Sequence, residues 1–259
     1  MYKRQALASL SYQGNANFNG GDTLTVLSTD GDGATDSDAI VLTVSSVNDG
    51  PVNTVPGAQT VNEDTSLSIA GISVNDVDGN LSTTQLTVTN GALNVSLAGG
   101  ATISAGANGS STLTLSGTQA QINAALASLS YQGTVDFNGA ETLTVLSTDA
   151  NGATDSDTVA ITVTSVNDGP VNTVPGAQTV NEDTSLSIAG VCVKDVDGNL
   201  ATTQLTVANG ALNVSLAGGA TISAGANGSS TLTLSGTQAQ INAALASLCL
   251  LYTSPSPRD

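Results

Sequence analysis

The chain has 259 residues, with 21 acidic against 4 basic side chains, a formal charge of −17, and neither histidine nor tryptophan. Such a balance repels nucleic acid and anionic lipid, so neither is an expected partner. Without histidine no Ser-His-Asp or Cys-His catalytic arrangement can be built, zinc loses its usual nitrogen ligand, and no apolar run approaches the ~20 residues of a membrane-spanning helix.

Taken from the start, residues 1–5 (MYKRQ) and 249–259 (CLLYTSPSPRD) stand outside the pattern that governs the rest. Both resemble translated sequencing-adapter ends, and both are expected to be artefacts foreign to the fold. Between them the chain repeats itself. The block from Asn48 to Gly71 returns letter for letter from Asn167 to Gly190, a period of 119 residues. The expected organisation is therefore the C-terminal part of a repeat at 6–49, a complete repeat at 50–168, and the N-terminal part of a repeat at 169–248. Arrays of near-identical modules serve length and spacing, because each unit adds reach while presenting the same surface again.

Within the complete repeat, apolar residues alternate with Thr and Ser. The pairs are Leu67 and Ile69, then Leu86 and Val88, then Leu93, Val95 and Leu97. Leu113 and Leu115, Leu143 and Val145, and Val159, Ile161 and Val163 follow. Period-two alternation puts one face of each strand in a core and the other in water. Turns are signalled at Asp78-Gly79-Asn80, Asn90-Gly91, Gly99-Gly100 and Asn108-Gly109. The expected fold class is all-β, a tandem array of antiparallel β-sandwich modules. One segment departs from it: Ile122, Ala125, Leu126 and Leu129 fall at helical spacing behind Thr118, predicting a short capped helix over one sandwich end. Tyr131 and Phe137 are expected to plug the core. With Cys249 set aside, Cys192 is the lone thiol and no disulfide can form.

Acidic residues gather in loops. In chain order these hold Asp30, Asp32, Asp36 and Asp38; Asn48 and Asp49; Glu63 and Asp64; Asp76 and Asp78; Asp149, Asp155 and Asp157. Asn167 and Asp168, Glu182 and Asp183, and Asp195 and Asp197 complete the set. Asp-, Asn- and Gly-rich loops also form ordinary solvated turns, but they supply the six to eight oxygens that Ca²⁺ prefers. The stretch Thr29 to Asp38 superficially matches a helix-loop-helix calcium loop but lacks its closing glutamate. Because the closing VNDGP of one repeat adjoins the opening of the next, its NED and DVDGN loops are expected to complete a shared site with it. The copies exchange Asn17 for Asp136, Asp22 for Glu141 and Asp32 for Asn151, each retaining a side-chain oxygen, whereas Lys194 replaces Asn75.

SVNDGP, the NED loop, DVDGN and INAALASLSYQG followed by FNG-x-[DE]-TLTV resemble the cadherin-like tandem repeats of large bacterial surface adhesins, repeat-in-toxin types included, and the related chondroitin-sulphate-proteoglycan repeats. The resemblance implies an immunoglobulin- or cadherin-like sandwich, extracellular, with Ca²⁺ at module junctions. It carries the cadherin linker onto Asn48 and Asp49 and onto Asn167 and Asp168. The D-x-D motif falls on Asp76 and Asp78 and on Asp195 and Asp197, and the early glutamate on Glu63 or Glu182. Ser46 and Ser165 replace the linker's first Asp, Gly50 and Gly169 its last Asn, and the mid-domain acidic pair has no equivalent, which implies fewer or weaker ions. The expected function is a non-enzymatic stalk repeat supporting cell adhesion, with neighbouring repeats as its partners and glycan or cell-surface ligands left to other parts of a longer protein. The alternative is a repeat that itself binds a glycan, a receptor or another copy. A Thr-rich ice-binding solenoid is disfavoured by the long period.

Overall fold

A computed structural model describes residues 10–251. The expected adapter segment 1–5, and 252–259 of the second, lie outside the described residues. The chain divides into two compact units, Met1–Ser165 and Val166–Asp259.

The first unit opens with a lone antiparallel hairpin, β1 (Gly20–Thr29) and β2 (Thr35–Val44). The complete repeat follows with β3 (Val52–Thr54), β4 (Gln59–Asn62), β5 (Ser66–Ser68), β6 (Ser73–Asn75) and β7 (Leu81–Thr87). Next come β8 (Ala92–Asn94), β9 (Thr102–Gly106), β10 (Thr112–Ser116), α1 (Gln119–Leu126), β11 (Ser130–Gln132), β12 (Gly139–Asp149) and β13 (Thr154–Thr164). Six strands form one sheet in the order β4-β13-β12-β7-β10-β9, while β5-β11-β8 and β3-β6 form smaller ones. The architecture is all-β, as the alternation predicts. One ladder is parallel: β4 runs alongside β13, Gln59 opposite Ile161.

Inward positions of these sheets share a single core that includes Leu86, Leu113, Leu115, Leu143, Val145, Tyr131 and the helix residues Ile122, Ala125 and Leu126, all fully buried. Fully burying a Leu or Val contributes roughly 1.5–3 kcal/mol. Phe137 packs against this core from its margin. Leu97, expected to continue a strand, lies beyond β8 and is 39% exposed. The helix is capped as expected at Thr118, whose side chain accepts from the Gln121 backbone while Gln121 reaches back, a reciprocal capping box. Behind Tyr131, Gly91 adopts φ +140, and a Cβ there would stand 2.4 Å from the Gln132 carbonyl, so no other residue fits.

The second unit contains β14 (Val171–Thr173), β15 (Ser185–Ser187), β16 (Cys192–Lys194), β17 (Thr202–Thr206), β18 (Ala211–Asn213) and β19 (Thr221–Gly225). It ends with β20 (Thr231–Ser235), α2 (Gln238–Leu245) and β21 (Cys249–Leu251). It repeats the first part of the module, with its sheet reduced to β17-β20-β19. Residues Cys249 to Leu251, set aside in the sequence reading as foreign, form a strand between β15 and β18, the place β11 occupies in the complete repeat. Cys192 and Cys249 are both free thiols. No helix among the described residues is long and apolar enough to cross a membrane.

Candidate functional site

Three Asp- and Asn-bearing segments of the first unit meet where the hairpin segment joins the complete repeat. Helix α1 sets the position of one of them. Asn123 accepts from the Val74 backbone N–H at 2.8 Å and donates to the Val74 carbonyl at 2.9 Å, clamping β6 to the helix. One turn earlier, Gln119 Oε1 accepts from the backbone of Asp76 at 2.8 Å. The helix thus fixes the start of the Asp76–Asn80 turn, in which Asp76 Oδ1 accepts from the N–H groups of Asp78 and Gly79 at 3.0 and 3.1 Å.

The linker docks on that turn. Asp49 donates its backbone N–H to Asp78 Oδ2 at 2.6 Å, and Asn48 Oδ1 accepts from Asn80 Nδ2 at 2.7 Å and from Asn151 Nδ2. Asn48 Nδ2 donates to Asp149 Oδ2 at 2.7 Å. The β12–β13 turn is organised by Asp149, whose Oδ1 accepts from the N–H groups of Asn151 and Ala153 at 2.9 and 2.7 Å. The Asn48 amide, reinforced by these backbone donors, holds the Asp149 carboxyl below the usual aspartate range against the opposing effect of burial. Asn48, Asp49, Asp76, Asp78, Asn80, Asp149 and Asn151 therefore converge from three chain segments. A cleft beside them is lined by Asn17, Asn19, Ser46, Asp49 and Asp78. In the orientation that satisfies both partners, the Asn80 amide nitrogen donates to the two Asp76 carboxylate oxygens, at 3.0 and 2.9 Å.

Other acids sit elsewhere. Glu63 is 3% exposed, and its Oε2 accepts from Asn138 at 3.1 Å. Asp64 Oδ1 accepts from the Asp136 N–H at 3.2 Å, and a carboxylate oxygen of each lies within 4.8 Å of the other. The NED loop is thereby tied to the FNG turn of its own repeat. Asp30 Oδ1 accepts from Asp32 and Ala34 at the β1–β2 turn, the arrangement Asp149 has, and Asp36 and Asp38 lie exposed on β2. Asp155, on β13, accepts from the Asn53 N–H through Oδ2 at 2.6 Å, while Asp157 stands opposite Val145. In the second unit Asp168 donates its N–H to Asp197 Oδ2 at 2.6 Å, and Asn199 donates to Asn167 at 2.5 Å, the same linker-to-turn pattern. Asp195 is anchored by Gln238, whose side chain accepts from the Asp195 N–H at 2.7 Å. Glu182 and Asp183 form an exposed turn, with Asp183 at φ 59.

Two polar features escape the sequence reading. Glu141, 5% exposed, accepts from the backbone N–H groups of Thr89 and Asn90 and so holds the turn whose carbonyl, at Asn90, receives the Tyr131 hydroxyl. Burial, with the Glu141 charge adding to it, pushes the Tyr131 phenol up to about 12. Asn53 is 8% exposed. It donates to the carbonyls of Val145 and Asp155 and accepts from Ser147, which in turn contacts Thr84 at 3.0 Å. A buried Ser-Thr alternation seeds this network, but the pairing across strands is not local information.

Comparison with known proteins gives a match to the Protein GAMETE EXPRESSED 2 domain over residues 63–158. No curated protein matches the chain in sequence. Similar solved structures include extracellular cadherin domains 1–4 of protocadherin gamma B7, 14% identical with a TM-score of 0.34, covering 84% of this chain and 49% of that one. Drosophila N-cadherin EC1-4 is 14% identical with a TM-score of 0.27, covering 85% and 50%. The C-terminal domain of the Streptococcus pyogenes antigen I/II-family protein AspA is 9% identical with a TM-score of 0.24, covering 92% of each chain. The chain spans about half the length of the cadherin structures it resembles.

Proposed function

We propose that the chain is a spacer segment of an extracellular bacterial adhesin, stiffened at its repeat junctions by Ca²⁺. The observation that carries this reading is the convergence of Asn48, Asp49, Asp76, Asp78, Asn80, Asp149 and Asn151, an oxygen-rich set of the kind hard divalent cations take. Its only opposing positive groups are amides, since Lys194 is the sole basic residue between Ala6 and Leu248. Neutralising the carboxylates removes their mutual repulsion and ties the linker to both turns, which resists bending at the junction.

Calorimetric titration with Ca²⁺ and small-angle scattering in Ca²⁺ and in chelator test this directly. The expected result is Ca²⁺ uptake, weakened about tenfold or more by Asp78→Ala, as losing one carboxylate ligand implies, together with a larger maximum dimension in Ca²⁺. No uptake, or uptake with no change in dimension, would overturn the stiffening role.

A further inference from the structure

The opening segment of the complete repeat runs alongside its closing strand, in the same direction. The contacts between them keep one offset, 102 residues, from Asn53 to Asn62. At the entry end Asn53 donates its backbone N–H to Asp155 Oδ2 at 2.6 Å and its amide to the Asp155 carbonyl at 2.9 Å. The same amide donates to the Val145 carbonyl of β12 at 3.3 Å, so this end is strapped to two strands. Gln59, Thr60, Val61 and Asn62 of β4 then pair in parallel with Ile161, Thr162, Val163 and Thr164 of β13. The exit end is closed twice: the Thr164 hydroxyl donates to Asn62 Oδ1 at 2.6 Å, and the Glu63 N–H donates to the Thr164 carbonyl at 2.9 Å. Val61 packs against the core to which Ile161 and Val163 belong, which keeps water from one face of the ladder.

This topology decides how tension enters the repeat. The chain arrives from the linker at the Asp155 end of the pair and leaves into the next linker at the Thr164 end. Pulling on both linkers therefore drives β4 and β13 past each other along their lengths, and every bond between them is strained at once. Two strands pulled from the same end separate differently, one bond after another. A single hydrogen bond contributes little net stability in water, but a set that must break together raises the barrier to opening, and forced unfolding follows that barrier rather than equilibrium stability.

We propose that β4 and β13 form a shear clamp through which the complete repeat bears tension along the chain without opening. The spacer reading supplies the source of the tension. The clamp itself lies within one repeat and uses no ion at a junction, so its test is separate from that of Ca²⁺ uptake.

Single-molecule force spectroscopy on the full chain, in chelator, reads the clamp with two pairs of cysteine handles. The background carries Cys192→Ser and Cys249→Ser, the residues found at Ser73 and Ser130. Ala58→Cys with Ser165→Cys places handles at opposite ends of the β4–β13 pair and loads it in shear. Thr65→Cys with Ser165→Cys places both at one end and peels the same pair apart. All three positions are exposed, so circular dichroism of both variants is expected to match the parent chain. Gly57→Cys, where a Cβ meets nothing within 4 Å, replaces Ala58→Cys in a second shear pair with the same expectation. Either opening releases about 100 residues, roughly 35 nm of extended chain, which identifies the event. At one loading rate the shear pairs are expected to open at about twice the force of the peel pair or more. Equal forces, or a lower force in shear, overturn the proposal.

Discussion

Residues 59–62 and 178–181 share the sequence Gln-Thr-Val-Asn, yet only the first is a strand. The difference lies in the neighbour: β13 stands beside Gln59–Asn62, and among the described residues no strand stands beside the second copy. The loss spreads along the sheet. Leu86, Ile69 and Val88 are nearly inaccessible, while Leu205, Ile188 and Val207 are only partly buried. Farther from that margin Leu113, Leu115 and Ile122 and their counterparts Leu232, Leu234 and Ile241 are all fully buried. Strand identity at a sheet margin is thus a property of the pair, whereas the helix-backed half of the module holds its shape alone.

That contrast can be broken experimentally, and the largest effect is expected at Tyr131. Tyr131→Ala empties a fully buried site and should cost about 3–5 kcal/mol. Denaturant unfolding should show the loss in the first unit only, because Leu250 stands in the equivalent place of the second. Next is Asn53→Ala, which strands Ser147 and two carbonyls and should cost about 2–3 kcal/mol. The matched Asn172→Ala should stay within roughly 0.5 kcal/mol when measured in dilute solution. Equal costs for the two Asn variants would erase the distinction. A smaller change should ignore the distinction altogether. Thr118→Ala and Thr237→Ala remove identical capping boxes and should each cost about 1 kcal/mol.

The pH response sharpens the comparison further. Asp149 titrates below its unfolded value when folded, so its contribution is fully present above about pH 4 and is lost as pH falls through the lowered folded value. Acid titration followed by circular dichroism should therefore weaken the first unit in that window, and Asn48→Ala should reduce the effect. At the alkaline end, ultraviolet titration should find the Tyr131 phenol near 12, well above a free tyrosine.

How much of this is readable in the chain follows the same division. Ile122, Ala125 and Leu126 announce α1, and Thr118 its start, because helix periodicity and capping are local. The alternation at Leu113 and Leu115 or at Val159 and Ile161 gives the strands for the same reason. The parallel partner of β13 leaves no local mark, since Gln59–Asn62 carries only a single clear inward residue, Val61. The grouping of Asn48 with Asp149 joins residues 101 positions apart, and only a folded chain brings them together. Composition exposed the acid-rich loops. It could not say that Asp155 would be engaged by Asn53, or that Glu63 would turn toward Asn138 rather than toward the Asp76 turn.

The strand Cys249–Leu251 shows how little the groove between β15 and β18 asks of the side chains it holds. Leu250 sits where Tyr131 sits, between the same two neighbours, without the hydroxyl that Asn90 receives. The groove between β15 and β18 selects for backbone pairing and apolar bulk, with side-chain identity secondary. Gly210 behind it, like Gly91, is pressed against the strand, a Cβ there meeting the Leu251 carbonyl at 2.9 Å. The strand position therefore accommodates Tyr131 in one copy and Leu250 in the other, whereas the glycine behind it leaves no room for a side chain.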